Sequence, residues 1–282
     1  MLTKPEIENI ISEDLKKILS NKTIYKYSDF NTGIDKILLG RTLNFSHPNV
    51  FNDPFDCNEK LLKVIIPKEE LKRLFELGKS NIPIDLHEQF WKNINDPKMV
   101  DKFNRSEKDR YLISCFSELN NEVLMWSHYG EKHNGVCIGF DFPHAYEDKF
   151  IICPIKYEAE LKPLDGECSL ARIILYWLTT KPNRWSYEKE IRAITRATEK
   201  TKSEILEYDG KYIKEVVFGC NVDKEKINET LILIRNSSLN IDKIEFKKME
   251  TMDLTRTVWM VMPCCLPNGS PRPFLYVMAK HV

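Results

Sequence analysis

The sequence predicts an α+β protein, built as a single domain on a mixed or antiparallel sheet with helical insertions. Many short apolar runs, such as Tyr111–Ser117 and Gly135–Asp141, have the length of buried strands. Other runs have apolar residues at helical spacing, and they need not alternate with the strands, as is typical of the α+β class. The chain of 282 residues is long enough to bury a substantial core.

Two segments stand out from this pattern. The N-terminal stretch 1–20 is expected to form an amphipathic helix, because its isoleucine and leucine residues recur at helical spacing. The remainder, 21–282, is expected to form the single α+β domain. Within it, the charged stretch 67–104 has a helical pattern broken by prolines, and we interpret it as a helical insertion.

Strands and short helices follow one another in irregular order along the rest of the chain. We predict strands at 24–27, 42–46, 111–117, 135–141, 151–157, 193–197, 215–219, 241–247 and 274–278, and helices at 34–39, 122–129, 169–178 and 223–234. Gly130 is a suitable C-cap for the second of these helices.

Composition and charge restrict the classes of function. Positive and negative residues balance at 42 each, so no overall field directs the chain to nucleic acid or to an acidic membrane. The first 20 residues mix charged with apolar residues, unlike a signal peptide, and no run approaches the roughly 20 apolar residues of a membrane span. The eight cysteines form no CxxC pair. We therefore expect a cytoplasmic protein with reduced cysteines, no membrane partner and no bound metal.

The most distinctive polar pattern is Glu188-Lys189-Glu190, which precedes a predicted strand and is followed by Arg192. In an extended chain alternate residues share a face, so Glu188, Glu190 and Arg192 are expected to project together. Two neighbouring carboxylates raise each other's pKa, whereas an adjacent arginine lowers both. The pattern fits either a reaction centre or a surface strand with an ion pair. Because Glu190 lies at a strand mouth, we expect Glu190→Gln to keep the fold.

A second polar pattern, Asn52-Asp53-Pro54-Phe55-Asp56, lies on a proline-containing loop. Its oxygens suit a hard cation such as magnesium, or they fix the loop through bonds to its own backbone. One alternative function is therefore a metal-dependent phosphodiesterase or nuclease built on Asp53, Asp56, Asp141 and Glu190. Another is a non-enzymatic sensor or adaptor, in which the aromatic loop and the proline-rich tail bind a partner.

Several motifs together resemble a known family. The motifs, in chain order, are Tyr25-Lys-Tyr27, Leu43-Asn-Phe-Ser46, Phe51-Asn-Asp-Pro-Phe-Asp56, Ser114-Cys-Phe-Ser117, Met125-Trp-Ser-His-Tyr129, Gly135–Asp141 and Trp185–Arg192. This order is similar to the bacterial domain of unknown function 2971 family, over most of the chain from about Tyr25 to Gly219. The family name itself implies little chemistry.

The same order bears a more distant resemblance to ADP-ribosyltransferases. Those enzymes keep a polar residue on an early strand, a hydroxyl residue on the next motif, and a glutamate in an E/Q-x-E turn before a late strand. Here Lys26 or Tyr25 matches the first position, Ser46 or Ser117 the second, and Glu188-x-Glu190 the third. The usual histidine or arginine is absent from the first motif.

This resemblance implies an ADP-ribosyltransferase-like split sheet and an NAD-consuming transferase or NAD glycohydrolase that acts as an effector in a toxin or phage-defence system. NAD is then the substrate, a nucleotide small molecule, and a protein or a nucleic acid is the acceptor. Glu190 stabilises the oxocarbenium-like state and Glu188 orients or activates the acceptor. The implied catalytic residues are Glu190, Glu188 and Ser46, and the implied binding residues are Tyr25, Lys26, Tyr27, Phe51, Ser117, Trp126, Tyr187 and Arg192.

Each group of implied binding residues has its own chemistry. The rings of Tyr27, Phe51, Trp126 and Tyr187 are candidates for stacking on nicotinamide or adenine. Lys26 or Arg192 is expected to meet the pyrophosphate. Lys26, Ser46 and Glu190 are expected to line one cleft.

Overall fold

The structure is a computed structural model that describes residues 22–58, 61–62, 69, 72, 76, 83–143, 145–147, 149–164, 170–197, 201–253, 256–261 and 275–278. The helix predicted over 1–20 lies outside these residues, as does most of the first half of the predicted insertion.

Strands form the larger part of the described architecture. They are β1 Ile24–Ser28, β2 Thr42–Ser46, β3 Tyr111–Ser117, β4 Val136–Phe140, β5 Ala145–Tyr146, β6 Phe150–Pro154, β7 Lys156–Glu158, β8 Thr180–Pro182, β9 Glu190–Arg196, β10 Ser203–Glu207, β11 Ile213–Phe218, β12 Glu245–Asp253, β13 Arg256–Val261 and β14 Leu275–Met278. Within the described residues, twelve of them join one sheet in the order β14-β13-β12-β11-β4-β1-β3-β9-β6-β5, with β2 between β10 and β3. In this sheet β11 and β12 pair in parallel, and the other described pairings are antiparallel.

The helices lie between these strands in irregular order. They are α1 His87–Ile94, α2 Pro97–Lys108, α3 Val123–Tyr129, α4 Leu170–Thr179 and α5 Lys224–Arg235, with a π-helical segment at Thr32–Leu39 and 3-10 turns at Pro48–Val50, Ile84–Leu86, Asn183–Glu188, Gly210–Tyr212 and Ile241–Lys243. A mixed, mostly antiparallel sheet with several helices confirms the predicted α+β class. The strand predicted at 241–247 is partly wrong, because a 3-10 turn occupies its first three residues.

The central strand β3 separates two parts of the hydrophobic core. Successive side chains of a strand point to opposite faces, and Leu112 and Ile113 accordingly belong to different clusters. Leu112 packs with a large aromatic group that includes Phe140, whereas Ile113 packs with Trp177 of α4. Because both faces are covered, β3 has a nearly continuous apolar sequence instead of an alternating one.

The sheet opens on one side of β3. The strand β1 pairs with β3 only at Tyr25 and Ser117, and β2 pairs with it only at Ser46 and Ile113. A cavity of about 540 Å³ occupies the gap between β1 and β2. It is lined by Lys26, Ser28, Thr32, Lys36, Ile37, Thr42, Asn44, Ser46, Val50, Phe51, Ile113, Cys115 and Ile205.

Candidate functional site

Five buried charged side chains meet beside the first residues of strand β9. They are Asp56, Lys181, Glu188, Glu190 and Arg192, and we call them the charged cluster. Lys181 Nζ lies 2.6 Å from Glu188 Oε2, 3.0 Å from Glu190 Oε2 and 3.5 Å from Asp56 Oδ2. Arg192 donates to Asp56 through Nη2 at 2.6 Å and to Glu190 through Nε at 2.7 Å. Three carboxylates thus share two cations.

The segment that carries the two glutamates is not one extended strand. A 3-10 turn runs through Glu188, Lys189 has a left-handed backbone with φ 42°, and β9 begins only at Glu190. Glu190 and Arg192 therefore share a face of β9, as predicted, whereas Glu188 returns to that face through the left-handed turn. Ser117 holds the turn in place, because its hydroxyl donates to the Glu188 carbonyl at 2.6 Å.

Glu190 is held as an anion. Burial opposes its ionisation, but the cations of Arg192 and Lys181 outweigh burial and lower the pKa of Glu190 to about 2. Its backbone N–H donates to Tyr157 Oη at 2.8 Å. Only 4% of the residue is exposed, so Glu190 is part of the interior and not of an open strand mouth.

The pKa of Glu188 is shifted in the opposite direction, although Glu188 is only two residues from Glu190. Burial raises the pKa of Glu188, and the neighbouring Glu190 adds to the rise, while Lys181 acts in the other direction. Its Oε1 accepts a hydrogen bond of 2.9 Å from the Tyr129 hydroxyl. When the surroundings shift the pKa values of two adjacent carboxylates in opposite directions, one can act as an acid or base while the other stays charged.

Half-buried aromatic rings surround the charged cluster. They belong to Phe51, Tyr129, Tyr157, Trp185 and Tyr187, and we call them the aromatic collar. Arg192 lies over the Phe51 ring with 5.6 Å between Cζ and the ring centroid, and Lys181 Nζ lies 4.9 Å from the Trp185 centroid. The parallel pairing of β7 with β8 sets Tyr157 beside Lys181. The collar gives the cluster a partly open, aromatic boundary.

The cavity between β1 and β2 adjoins the cluster through two residues. Phe51 lines the cavity and lies against Arg192. Cys115 also lines it, and Cys115 is the cross-strand partner of Arg192 and hydrogen-bonds Glu190. Burial, followed by the charge of Glu190, raises the pKa of the Cys115 thiol well above its usual value. The uncharged Cys115 side chain therefore separates the cavity from Glu190.

Lys26 faces this cavity from β1. Its ammonium nitrogen donates to Ser114 Oγ at 3.0 Å and to the Cys115 carbonyl at 2.8 Å. Burial lowers the pKa of Lys26, and the nearby Cys115 and Glu190 compensate only in part. No carboxylate in the part of the chain that the structure describes forms an ion pair with Lys26.

The structure brings together some of the predicted site residues. Lys26 and Ser46 line one cavity, as predicted, together with Phe51, but the prediction that Glu190 lines the same cleft is wrong. Glu190 lies directly across from Ser117 in the pairing of β9 with β3. Tyr187 belongs to the aromatic collar, and Arg192 belongs to the charged cluster.

Other predicted residues lie elsewhere. Tyr27 and Trp126 pack edge to face at 5.2 Å in the core, and Trp126 is 0% exposed, so it has no surface for a ligand. Tyr25 hydrogen-bonds Glu215 of β11. Arg192 is also 0% exposed and is saturated by its buried partners, so it has no surface with which to meet a pyrophosphate.

Three residues of the site were not singled out from the sequence. Tyr129 contacts Glu188, Tyr157 contacts Glu190, and Lys181 contacts both glutamates. Tyr129 lies inside a motif quoted for the family resemblance, and Lys181 lies four residues before another, Trp185–Arg192. Their closeness to these motifs is a signal that the sequence offers. Tyr157 has no such signal, because its position depends on the pairing of β7 with β8.

The four carboxylates of the nuclease alternative do not converge. Asp56 and Glu190 are bound by Arg192, while Asp53 Oδ1 accepts from the Phe55 amide at 2.9 Å and so fixes its own loop. Asp141 accepts from the Thr23 hydroxyl instead. Among the described residues, no group of three or more histidine, cysteine, aspartate or glutamate side chains is arranged to hold a metal ion.

Comparison with known proteins gives one match. A family model described as "Protein of unknown function (DUF2971)" matches residues 125–193. This range contains most of α3, the 3-10 turn with Glu188 and the start of β9, and with them most of the charged cluster and the aromatic collar. No curated protein and no solved structure matches the chain. Over the described residues, no helix is long and apolar enough to cross a bilayer.

Proposed function

We propose that this protein consumes NAD, as an ADP-ribosyltransferase or an NAD glycohydrolase, with its reaction centre at Glu188 and Glu190. The observation that carries the proposal is the different setting of the two glutamates: Arg192 and Lys181 hold Glu190 and lower its pKa, whereas Glu188 accepts from the Tyr129 hydroxyl and burial raises its pKa. One carboxylate thus keeps its charge, while the other is poised to exchange a proton closer to neutral pH.

The proposed roles follow from this difference. Cleavage of the nicotinamide–ribose bond develops positive charge on the ribose, which a fixed negative charge stabilises. Glu190 supplies that negative charge, and the Cys115 side chain lies between its carboxylate and the cavity. The positive charges of Lys181 and Arg192 reduce the electric field of the carboxylate at the ribose. Glu188 takes the proton from the acceptor, either a water or a side chain, and releases it to solvent after nicotinamide has left as a neutral molecule. Tyr129, which donates to Glu188 at 2.9 Å, orients this carboxylate.

The surroundings supply the binding groups that NAD needs. The rings of Phe51, Tyr187 and Trp185 are half-buried and suit stacking on nicotinamide or adenine. Lys36 and Lys26 line the cavity and suit the pyrophosphate, with hydroxyl groups such as that of Ser46 beside them. Among the described residues that line the cavity there is no carboxylate, which favours an anionic ligand.

A thermal-unfolding panel tests this proposal. A ligand that binds only the folded state at 100 times its dissociation constant stabilises it by about 2.7 kcal/mol. NAD is expected to raise the unfolding temperature, whereas magnesium or manganese alone is not. Stabilisation by a divalent metal without any response to NAD or to other nucleotides contradicts the proposal and supports the nuclease alternative. The proposed role as an effector in a toxin or phage-defence system depends on this NAD cleavage.

A further inference from the structure

The chemistry of Lys26 differs from that of the other lysine in the same cavity. Lys26 is half-buried and its nitrogen is held by two neutral oxygens, those of Ser114 and of the Cys115 backbone. Lys36, in contrast, is exposed at the cavity rim. A lysine that is removed from water without a carboxylate partner loses part of the stabilisation of its ammonium form and becomes a nucleophile.

The described lining of the cavity also restricts what can approach this amine. Lys36 supplies a positive charge, and Thr32, Thr42 and Asn44 supply hydroxyl and amide groups. Without a lining carboxylate, the cavity favours a ligand that carries a phosphate, and the polar side chains favour one that carries several hydroxyl groups. A volume of about 540 Å³ is large enough for a sugar phosphate.

We propose that Lys26 forms an imine with the aldehyde carbon of a phosphorylated aldose bound in this cavity. The amine lone pair attacks the carbonyl carbon, a carbon–nitrogen bond forms, and the carbonyl oxygen leaves as water with the two protons of the amine. The step needs no oxidant or reductant and is reversible. It goes beyond the proposed function, because it requires neither NAD nor the charged cluster.

Borohydride trapping tests the inference. Full-length protein is equilibrated with ribose 5-phosphate, reduced with borohydride and mapped by peptide mass spectrometry. Reduction converts the imine to a secondary amine, so the modified peptide gains the mass of the sugar phosphate less one oxygen atom. The adduct is expected on Lys26 and not on Lys36, with a loss of the adduct when ribose replaces ribose 5-phosphate.

Matched variants separate this chemistry from general reactivity of lysines. Lys26→Arg keeps a positive charge and removes the nucleophile, so it is expected to lose the adduct. Lys36→Gln removes the charge at the cavity rim, so it is expected to retain Lys26 labelling with a weaker dependence on phosphate. Peptide mapping of the unsubstituted protein decides the question even if Lys26→Arg fails to fold. Adducts spread over exposed lysines without enrichment at Lys26 overturn the inference, and equal labelling by ribose overturns the assigned substrate class. Because NAD plays no part in this experiment, its failure is distinct from failure of the proposed function.

Discussion

Replacement of Glu190 by glutamine removes the anion that holds the charged cluster together. Arg192 Nε and Lys181 Nζ lie 2.7 and 3.0 Å from its carboxylate, and both would remain buried with less compensation. Breaking one partner of a buried pair typically costs about 3–5 kcal/mol. The expectation that Glu190→Gln keeps the fold rested on an exposed strand mouth, whereas Glu190 is only 4% exposed, so we now expect the substitution to destabilise the protein.

The pKa of Glu190 gives an independent magnitude. A fall from 4.5 to about 2 in the folded state corresponds to roughly 3 kcal/mol of stabilisation, since each pKa unit is worth about 1.4 kcal/mol. Because the folded-state pKa is depressed, this stabilisation is present above pH 4.5 and is lost as the pH falls through about 2. The difference in unfolding free energy between the original protein and Glu190→Gln is thus largest near neutral pH.

Urea denaturation at neutral pH and near pH 3 measures this difference, with Glu188→Gln as the matched control. The control makes the same chemical change two residues away, where burial already disfavours the charge, and we expect it to cost about 1 kcal/mol, as for one hydrogen bond. The difference for Glu190→Gln is expected to narrow on acidification. Equal and small costs for both variants at neutral pH, without any pH dependence, refute the account of the cluster.

Two further predictions concern the same region of the fold. Tyr129→Phe removes a hydrogen bond that lowers the pKa of Glu188, so an NMR titration of the side-chain carboxyl is expected to show a higher pKa in the variant; an unchanged or lower value contradicts the assigned contact. Gly135→Ala is expected to destabilise the protein by about 3 kcal/mol or more, because the added Cβ would lie 2.1 Å from the Ser28 carbonyl oxygen. A thermal-unfolding temperature close to that of the original protein contradicts this close approach of the two backbones.

Features of the fold that depend on neighbouring residues in the chain were predictable, whereas features that depend on residues distant in the chain were not. The strand β3 was predicted correctly because its residues are apolar in a continuous run, which is a local property. Lys26, Ser46 and Glu190 were expected at one cleft from the order of the motifs; Lys26 and Ser46 line one cavity, but Glu190 lies in the interior beside it. Trp126 could not be assigned in the same way, since a helical aromatic residue has the same spacing whether it faces a ligand or the core.

The charged cluster required information that is not local. Lys181 reaches both glutamates because Asn183–Glu188 forms a 3-10 turn and Lys189 adopts a positive φ, and lysine has no preference that signals such a backbone. Asp56 joins the cluster from a loop more than a hundred residues earlier in the chain. Its carboxylate was read from the sequence as a metal ligand or a loop brace, because the partner Arg192 is distant in sequence.

Release of nicotinamide from NAD by the purified full-length protein tests the central claim most directly. The assay compares the original protein with Glu188→Gln, whose folding is checked by thermal unfolding, in the presence of water alone and of protein or nucleic-acid acceptors. General-base catalysis contributes about 10²–10⁴ in rate, so the original protein is expected to release nicotinamide and Glu188→Gln to do so at least about a hundredfold more slowly. No release by the original protein with any acceptor, or an equal rate in folded Glu188→Gln, contradicts the account.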